Sequence, residues 1–184
     1  MRLLIIGLAL SLLAGCAQNP VTGQNDFVMM SENQEVAVGR QADEQVKKQY
    51  QVYESKALQD YVGRVGQRLA KQSHRPGLHY RFTVLDTPEI NAFALPGGYV
   101  YVTRGIMAYL NSEAELAAVV GHEIGHVTAR HGVRQQSAAQ AANIGLTIAS
   151  IFVPEINTNL GQNLANLMGG ALLSGYGREQ ELEA

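Results

Sequence analysis

Seven residues, Val120-Gly121-His122-Glu123-Ile124-Gly125-His126, constrain this chain more than any other stretch. On a helix, residues four apart lie one turn above each other on the same face. His122 and His126 can therefore bind one metal ion together, and imidazole nitrogen suits zinc at about 2.0–2.1 Å. Glu123 sits one residue round the helix, where its carboxylate can reach an activated water without being a ligand. This is the layout of a zinc hydrolase with Glu123 as general base. The pattern needs a helix, and its surroundings predict one from Ser112 to Val133. Ser112 and Glu115 form a Ser-x-x-Glu capping box, while Leu116, Val119, Val120, Ile124 and Val127 form an apolar stripe. Gly132 is the expected stop.

A catalytic zinc site usually has three protein ligands and one open position. The third must come from outside the motif. His131 lies five residues past His126, so on a continuous helix it points about 140° away. That makes it a poor ligand and a better structural or supporting residue. His74 and His79 flank a turn and read as surface histidines. The remaining candidates are Glu179, Glu181 and Glu183 near the C-terminus. At spacing two they cannot all face one way on a helix, and spacing alone leaves the choice open.

Several stretches carry a family resemblance. They are Asn19-Pro20-Val21-Thr22-Gly23, Asn91-Ala92-Phe93-Ala94-Leu95-Pro96-Gly97-Gly98, Glu113-Ala114-Glu115-Leu116-Ala117 leading into the His-Glu-x-x-His run, and Arg178-x-x-Glu181-x-x-Ala184. The chain resembles the HtpX/BepA-like zinc metallopeptidases, relatives of the CAAX prenyl proteases and the mitochondrial Oma-type proteases. It looks closest to their exported bacterial members. The resemblance implies a zincin-like fold, one Zn2+ per chain and Glu181 as third ligand. Glu179 and Glu183 are then expected to face away, towards solvent or a structural partner. It also points to Asn91, Ala92, Phe93 and Ala94 as an edge strand that holds an extended peptide substrate by backbone pairing, the alternative being an ordinary core hairpin whose glycines only make the turn. An Asp normally follows the final Ala of this pattern. Residues 31–184 are therefore expected to be a peptidase domain incomplete at its C-terminus, with the oxyanion donor lying beyond.

The leader is a second signal. Met1 and Arg2 precede an apolar run from Leu3 to Leu13, too short to span a bilayer comfortably. Leu13-Ala14-Gly15-Cys16 resembles a bacterial lipobox, which implies a signal peptide over residues 1–15 and acylation of Cys16. Residues 16–30, extended over Asn19 to Asn25, would tether the domain to the bilayer. Cys16 is the only cysteine, so no intrachain disulfide exists. Ala17 after the cysteine favours the outer membrane, on the periplasmic face of the envelope.

Elsewhere the pattern predicts α+β, mostly helical with a small sheet beside the metal-binding helix. Ser31 with Gln34 opens a polar helix to about Tyr50. Leu58, Tyr61, Val62, Val65 and Leu69 recur at helical spacing between Ser55 and Gln72. Tyr80, Phe82 and Val84 alternate as a strand, and Asn91–Leu95 and Tyr99–Thr103 flank a Pro-Gly-Gly turn. Residues 138–153 and 160–173 are apolar and rich in small side chains, reading as a buried helical hairpin, or as a mobile lid or membrane-touching flap over the site. Net charge is −2 with no basic run, which argues against a nucleic-acid partner. The function expected is zinc-dependent endopeptidase action on envelope proteins in quality control. The alternative is a periplasmic chaperone or assembly factor that uses the same groove with little or no cleavage.

Overall fold

The computed structural model describes residues 16–152 and 176–184. The order is β1 (Cys16–Gln18), β2 (Asn25–Phe27), α1 (Glu32–Gln49), α2 (Lys56–Ala70), β3 (Arg81–Leu85), β4 (Ala92–Leu95), β5 (Tyr99–Thr103), α3 (Arg104–Met107), α4 (Glu113–Thr128), α5 (His131–Phe152) and α6 (Arg178–Glu183). The fold is α+β, as the sequence pattern predicts. No helix among the described residues is long and apolar enough to cross a membrane. The segment around Pro154 and the apolar stretch 160–173 lie outside the described residues.

Helix starts follow the polar caps. Ser31 accepts from the Gln34 N–H and the Gln34 side chain accepts from the Ser31 N–H, a complete capping box. Ser55 caps α2 through the Leu58 N–H. Ser112 caps α4 through the Glu115 N–H, but Glu115 Oε2 accepts from the Asn111 N–H at 2.6 Å, so only half of the predicted box forms.

The sheet is β3–β5–β4, with β3 parallel and β4 antiparallel to β5. Every residue of the central β5 is buried, so its two faces feed two cores. Val100 and Val102 join Val84, Val62 and Val65 of α2, and Leu116, Val120, Ile124 and Val127 of α4. Tyr99 and Tyr101 face the other way, against Leu85, Leu95 and Val46 of α1. The period of two along each strand thus sorts side chains between α2/α4 and α1. Gly97 in the β4–β5 turn has φ +76°, and a Cβ there would lie 2.8 Å from Val36 Cα, so glycine lets the turn rest on α1.

The two outer edges of the sheet differ. The far side of β3 is covered. Tyr53 N–H donates to Val84 O, Asp86 N–H donates to Gln51 O, and the Gln59 side chain bonds both Val84 main-chain groups. On β4, Asn91 O accepts the Thr103 N–H, so alternation turns the main-chain groups of Ala92 and Ala94 outward. No partner meets them among the described residues.

Two further expectations are corrected. The predicted helix to Val133 breaks at Arg130, which adopts φ +57° and starts α5 at His131. A left-handed non-glycine residue costs about 1–2 kcal/mol. Here the Arg130 guanidinium is tied to Glu35 Oε2 at 2.9 Å and to Met30 O at 3.0 Å, contacts that no local pattern encodes. Residues 19–25 also do not run as one extended tether. β1 and β2 pair as an antiparallel hairpin, closed by the Asn19 side chain accepting from the Val21 and Thr22 N–H groups. The hairpin docks on α5, with Met29 N–H donating to Ser137 Oγ and Val28 and Met30 packing on Val133.

Candidate metal centre and active site

Helix α4 presents His122 and His126 one turn apart, their rings edge to face at 4.6 Å between centroids. The short α6 lies across them and brings Glu181. Its close approach depends on Gly125, where a Cβ would fall 2.4 Å from Ala184 O. His126 Nε2 lies 3.0 Å from His122 Nε2, His122 Nε2 lies 3.0 Å from Glu181 Oε2, and His126 Nε2 lies 3.8 Å from Glu181 Oε1. Ligand atoms about 2.0–2.1 Å from a tetrahedral ion sit about 3.3 Å from one another. The observed separations bracket that value, and two imidazoles with a carboxylate are a donor set that suits zinc. The cluster therefore fits a metal ion.

Glu123 is 7% exposed, against the same cluster. Burial, and then the charge of Glu181, push its carboxyl up to about 7. A carboxylate poised near neutrality suits proton transfer in either direction. His126 is pulled down to about 4, first by burial and then by His122 and His131. It is neutral at pH 7, which leaves a lone pair free for a metal.

The break at Arg130 brings His131 to the back of this group. A continuous helix would aim it elsewhere; instead its Nδ1 lies 2.7 Å from His126 Nδ1, and the ring is wholly buried. The predicted supporting position for His131 is where the structure places it, by a route the helix geometry did not contain. Glu179 is exposed, while Glu183 turns to Arg134, Asn19 and His131. Tyr176 was missed by sequence reasoning. Its ring stacks on His126 at 3.9 Å and 18°, and burial followed by the charges of Glu123 and Glu181 raises its hydroxyl pKa. A tyrosine two residues before Arg178 carries no spacing signal of its own.

On the substrate side, Phe93 stacks on Tyr101 at 4.9 Å and Ala94 is buried towards α4, so both side chains serve the core. Asn91 is tied to Thr103, whose Oγ1 accepts its N–H. What the strand leaves available is the main chain of Ala92 and Ala94. A cleft of about 780 Å³ beside α2, with Tyr61, Arg64, Arg68 and Phe82 in its walls, includes none of the clustered groups. His74 and His79 likewise lie apart from them. The titratable groups converge at the α4–α6 contact, apart from that cleft.

The profile of Peptidase family M48 matches residues 56–184, which include all of the clustered side chains. A putative beta-barrel assembly-enhancing protease of Vibrio cholerae is 30% identical over 96% of this chain and 40% of its own length. The mitochondrial metalloendopeptidase OMA1 of Arabidopsis thaliana is 37% identical over 46% of this chain and 17% of its own. The metalloprotease YcaL of Escherichia coli is 30% identical over 65% of this chain and 48% of its own. The chain thus spans less than half the length of these relatives. The cluster of His122, His126 and Glu181 supports a metallopeptidase-like active site, and the profile match over most of the chain shows that it belongs to peptidase family M48.

Proposed function

We propose that the protein is a zinc-dependent endopeptidase acting on proteins of the bacterial envelope. The observation that carries this reading is the convergence of His122, His126 and Glu181 beside the buried Glu123. His122, His126 and Glu181 hold one zinc ion, which when bound supplies Lewis acidity for water activation and carbonyl polarisation. Glu123 takes the proton of the attacking water and passes it to the departing amine. Its pKa near 7 suits both transfers. The open edge of β4 orients the substrate, with the Ala92 and Ala94 main chain pairing to an extended peptide. Neighbouring Asn91 and Phe93 shape that edge through Thr103 and Tyr101.

The decisive experiment loads wild-type protein and Glu123→Gln with zinc and follows cleavage of an unfolded protein substrate. Equal zinc content with cleavage lost only in the variant supports the reading. Equal cleavage in both overturns it. Substrate bound by both and cut by neither would favour the chaperone alternative.

The cellular setting rests on the leader and on relatives named for beta-barrel assembly. Acylation of Cys16 after removal of residues 1–15 would hold the domain at the periplasmic face of the envelope, in the outer membrane, where it would serve protein quality control. Cys16→Ser should abolish fatty-acid labelling and release the protein from membranes. Unchanged labelling in that variant would sink the assignment.

A further inference from the structure

Glu183 belongs to the same short helix as Glu181 but faces the opposite way. Residues two apart on a helix point about 200° from each other. Glu181 meets the α4 histidines. Glu183, with its side chain 14% exposed, is held from three directions. Asn19 Nδ2 donates to its Oε1 at 2.5 Å, Arg134 Nη1 donates to its Oε2 at 2.8 Å, and His131 Nε2 makes an oblique 3.2 Å contact with Oε2. Asp26 of the hairpin completes the cage, accepting from Asn19 Nδ2 at 2.8 Å and lying 3.3 Å from Arg134 Nε. A helix of six residues has little stability of its own, so its placement must come from such contacts.

We propose that Glu183 is a positioning residue of the metal centre, acting on it by two routes and anchored by the N-terminal hairpin through Asn19. The first route is rigid. Fixing Glu183 fixes α6, and so aims Glu181 at His122 and His126. The second runs through side chains. A metal held by His126 Nε2 requires the proton of that ring on Nδ1, where it donates to His131 Nδ1. His131 then carries its own proton on Nε2, facing the Glu183 carboxylate. This is an extended form of the carboxylate–histidine support common behind metal ligands, with a second imidazole inserted. It gives the Asn19-Pro20-Val21-Thr22-Gly23 stretch a role in the active site, since the turn it builds presents Asn19, only 3% exposed, to Glu183.

The proposal rests on the assignment of His122, His126 and Glu181 as ligands, and the test separates the two. Zinc affinity is measured by competition with a chromophoric chelator for wild type, Glu183→Gln, Asn19→Ala and Glu179→Gln. The cobalt-loaded proteins are compared by their visible absorption. A wild type that takes up no zinc overturns the ligand assignment, and this proposal with it. Given one tight equivalent in wild type, Glu183→Gln should bind about 10–100-fold more weakly, as lost support behind a ligand does. Asn19→Ala should bind more weakly by a smaller factor, and Glu179→Gln should match wild type. The cobalt bands should shift in Glu183→Gln and Asn19→Ala and stay fixed in Glu179→Gln. Wild-type affinity and spectrum in Glu183→Gln overturn the proposal. Should that variant fail to fold, Asn19→Ala decides, and wild-type affinity and spectrum there overturn it equally.

Discussion

Two buried glutamates lie on either side of the α4–α5 junction, and their surroundings are opposite. Glu35 is fully buried and met by positive charge from two sides. Arg75 Nη1 and Nη2 reach its two oxygens at 2.8 and 3.2 Å, Arg130 Nε reaches Oε2 at 2.9 Å, and the Gly97 N–H adds a fourth bond. Glu123 is almost as buried, and the charge it feels most is that of another carboxylate, Glu181. The first carboxylate is satisfied by its own chain. It joins α1, the Arg75 loop, the β4–β5 turn and the start of α5. The second accepts no hydrogen bond among the described residues, and burial with the nearby Glu181 pushes its carboxyl up to about 7. A closed polar network builds the scaffold, and a sparser one surrounds the glutamate proposed to do the chemistry.

The comparison breaks first on activity. Replacing Glu123 with Gln in the zinc-loaded protein should lower kcat by about 10²–10⁴-fold, the usual contribution of a positioned acid–base group. Folding should survive, because a neutral amide relieves a buried charge. A single-turnover cleavage assay beside a thermal melt checks both halves.

Stability breaks next, on the other glutamate. Glu35→Ala strands Arg75 and Arg130 in a buried site, and removing one partner of a buried ion pair costs about 3–5 kcal/mol. Urea unfolding should show that loss, with a smaller one in Glu35→Gln, which keeps an acceptor. A loss below 1 kcal/mol in Glu35→Ala would mean that the network is not what holds the junction.

A third contrast is in pH, with metal removed by chelation. Glu123 rises from 4.5 to about 7 on folding, so the folded state binds more protons and stability falls as pH climbs through that window. His126 drops from 6.5 to about 4, so the folded state binds fewer protons and stability rises between pH 4 and 6.5. Each shift corresponds to on the order of 3 kcal/mol, and in wild type the two oppose each other. Glu123→Gln deletes the falling limb. Its metal-free form should therefore gain more stability than wild type as pH rises from 4.5 to 6.5. Parallel pH profiles for the two proteins would contradict the assigned environments.

The smallest effect sharpens the picture. Glu179 is exposed, so Glu179→Ala should change stability by less than about 0.5 kcal/mol.

Much of this was legible in the residues. The capping serines at 31 and 112, the alternation of Tyr80, Phe82 and Val84, and the Pro-Gly-Gly turn all rest on local rules, and the structure obeys them. The pairing of His122 with His126 follows from one helical turn. What stayed hidden depends on distant partners. Arg130 turns left-handed because Glu35, 95 residues earlier, holds its guanidinium. That one residue moves His131 from the far side of a helix to the back of His126. Asn19 closes a turn and also meets Glu183, 164 residues away. Tyr176 finds its role only by stacking on His126. Local propensity cannot report contacts made across the whole fold.

For the proposed lipid anchor, the docked hairpin would set a reach. Fifteen free residues between lipid and domain could extend about 50 Å. Residues 16–30 instead fold back on α5, and the three residues of β1 span only about 10 Å. An acylated Cys16 would then leave the catalytic groups almost no leash. Such an enzyme could not sweep the space around its anchor. It would have to wait at the bilayer surface for unfolded chains delivered there, and lengthening the Gln18–Asn25 connection would not widen its range while Asn19 still grips Glu183.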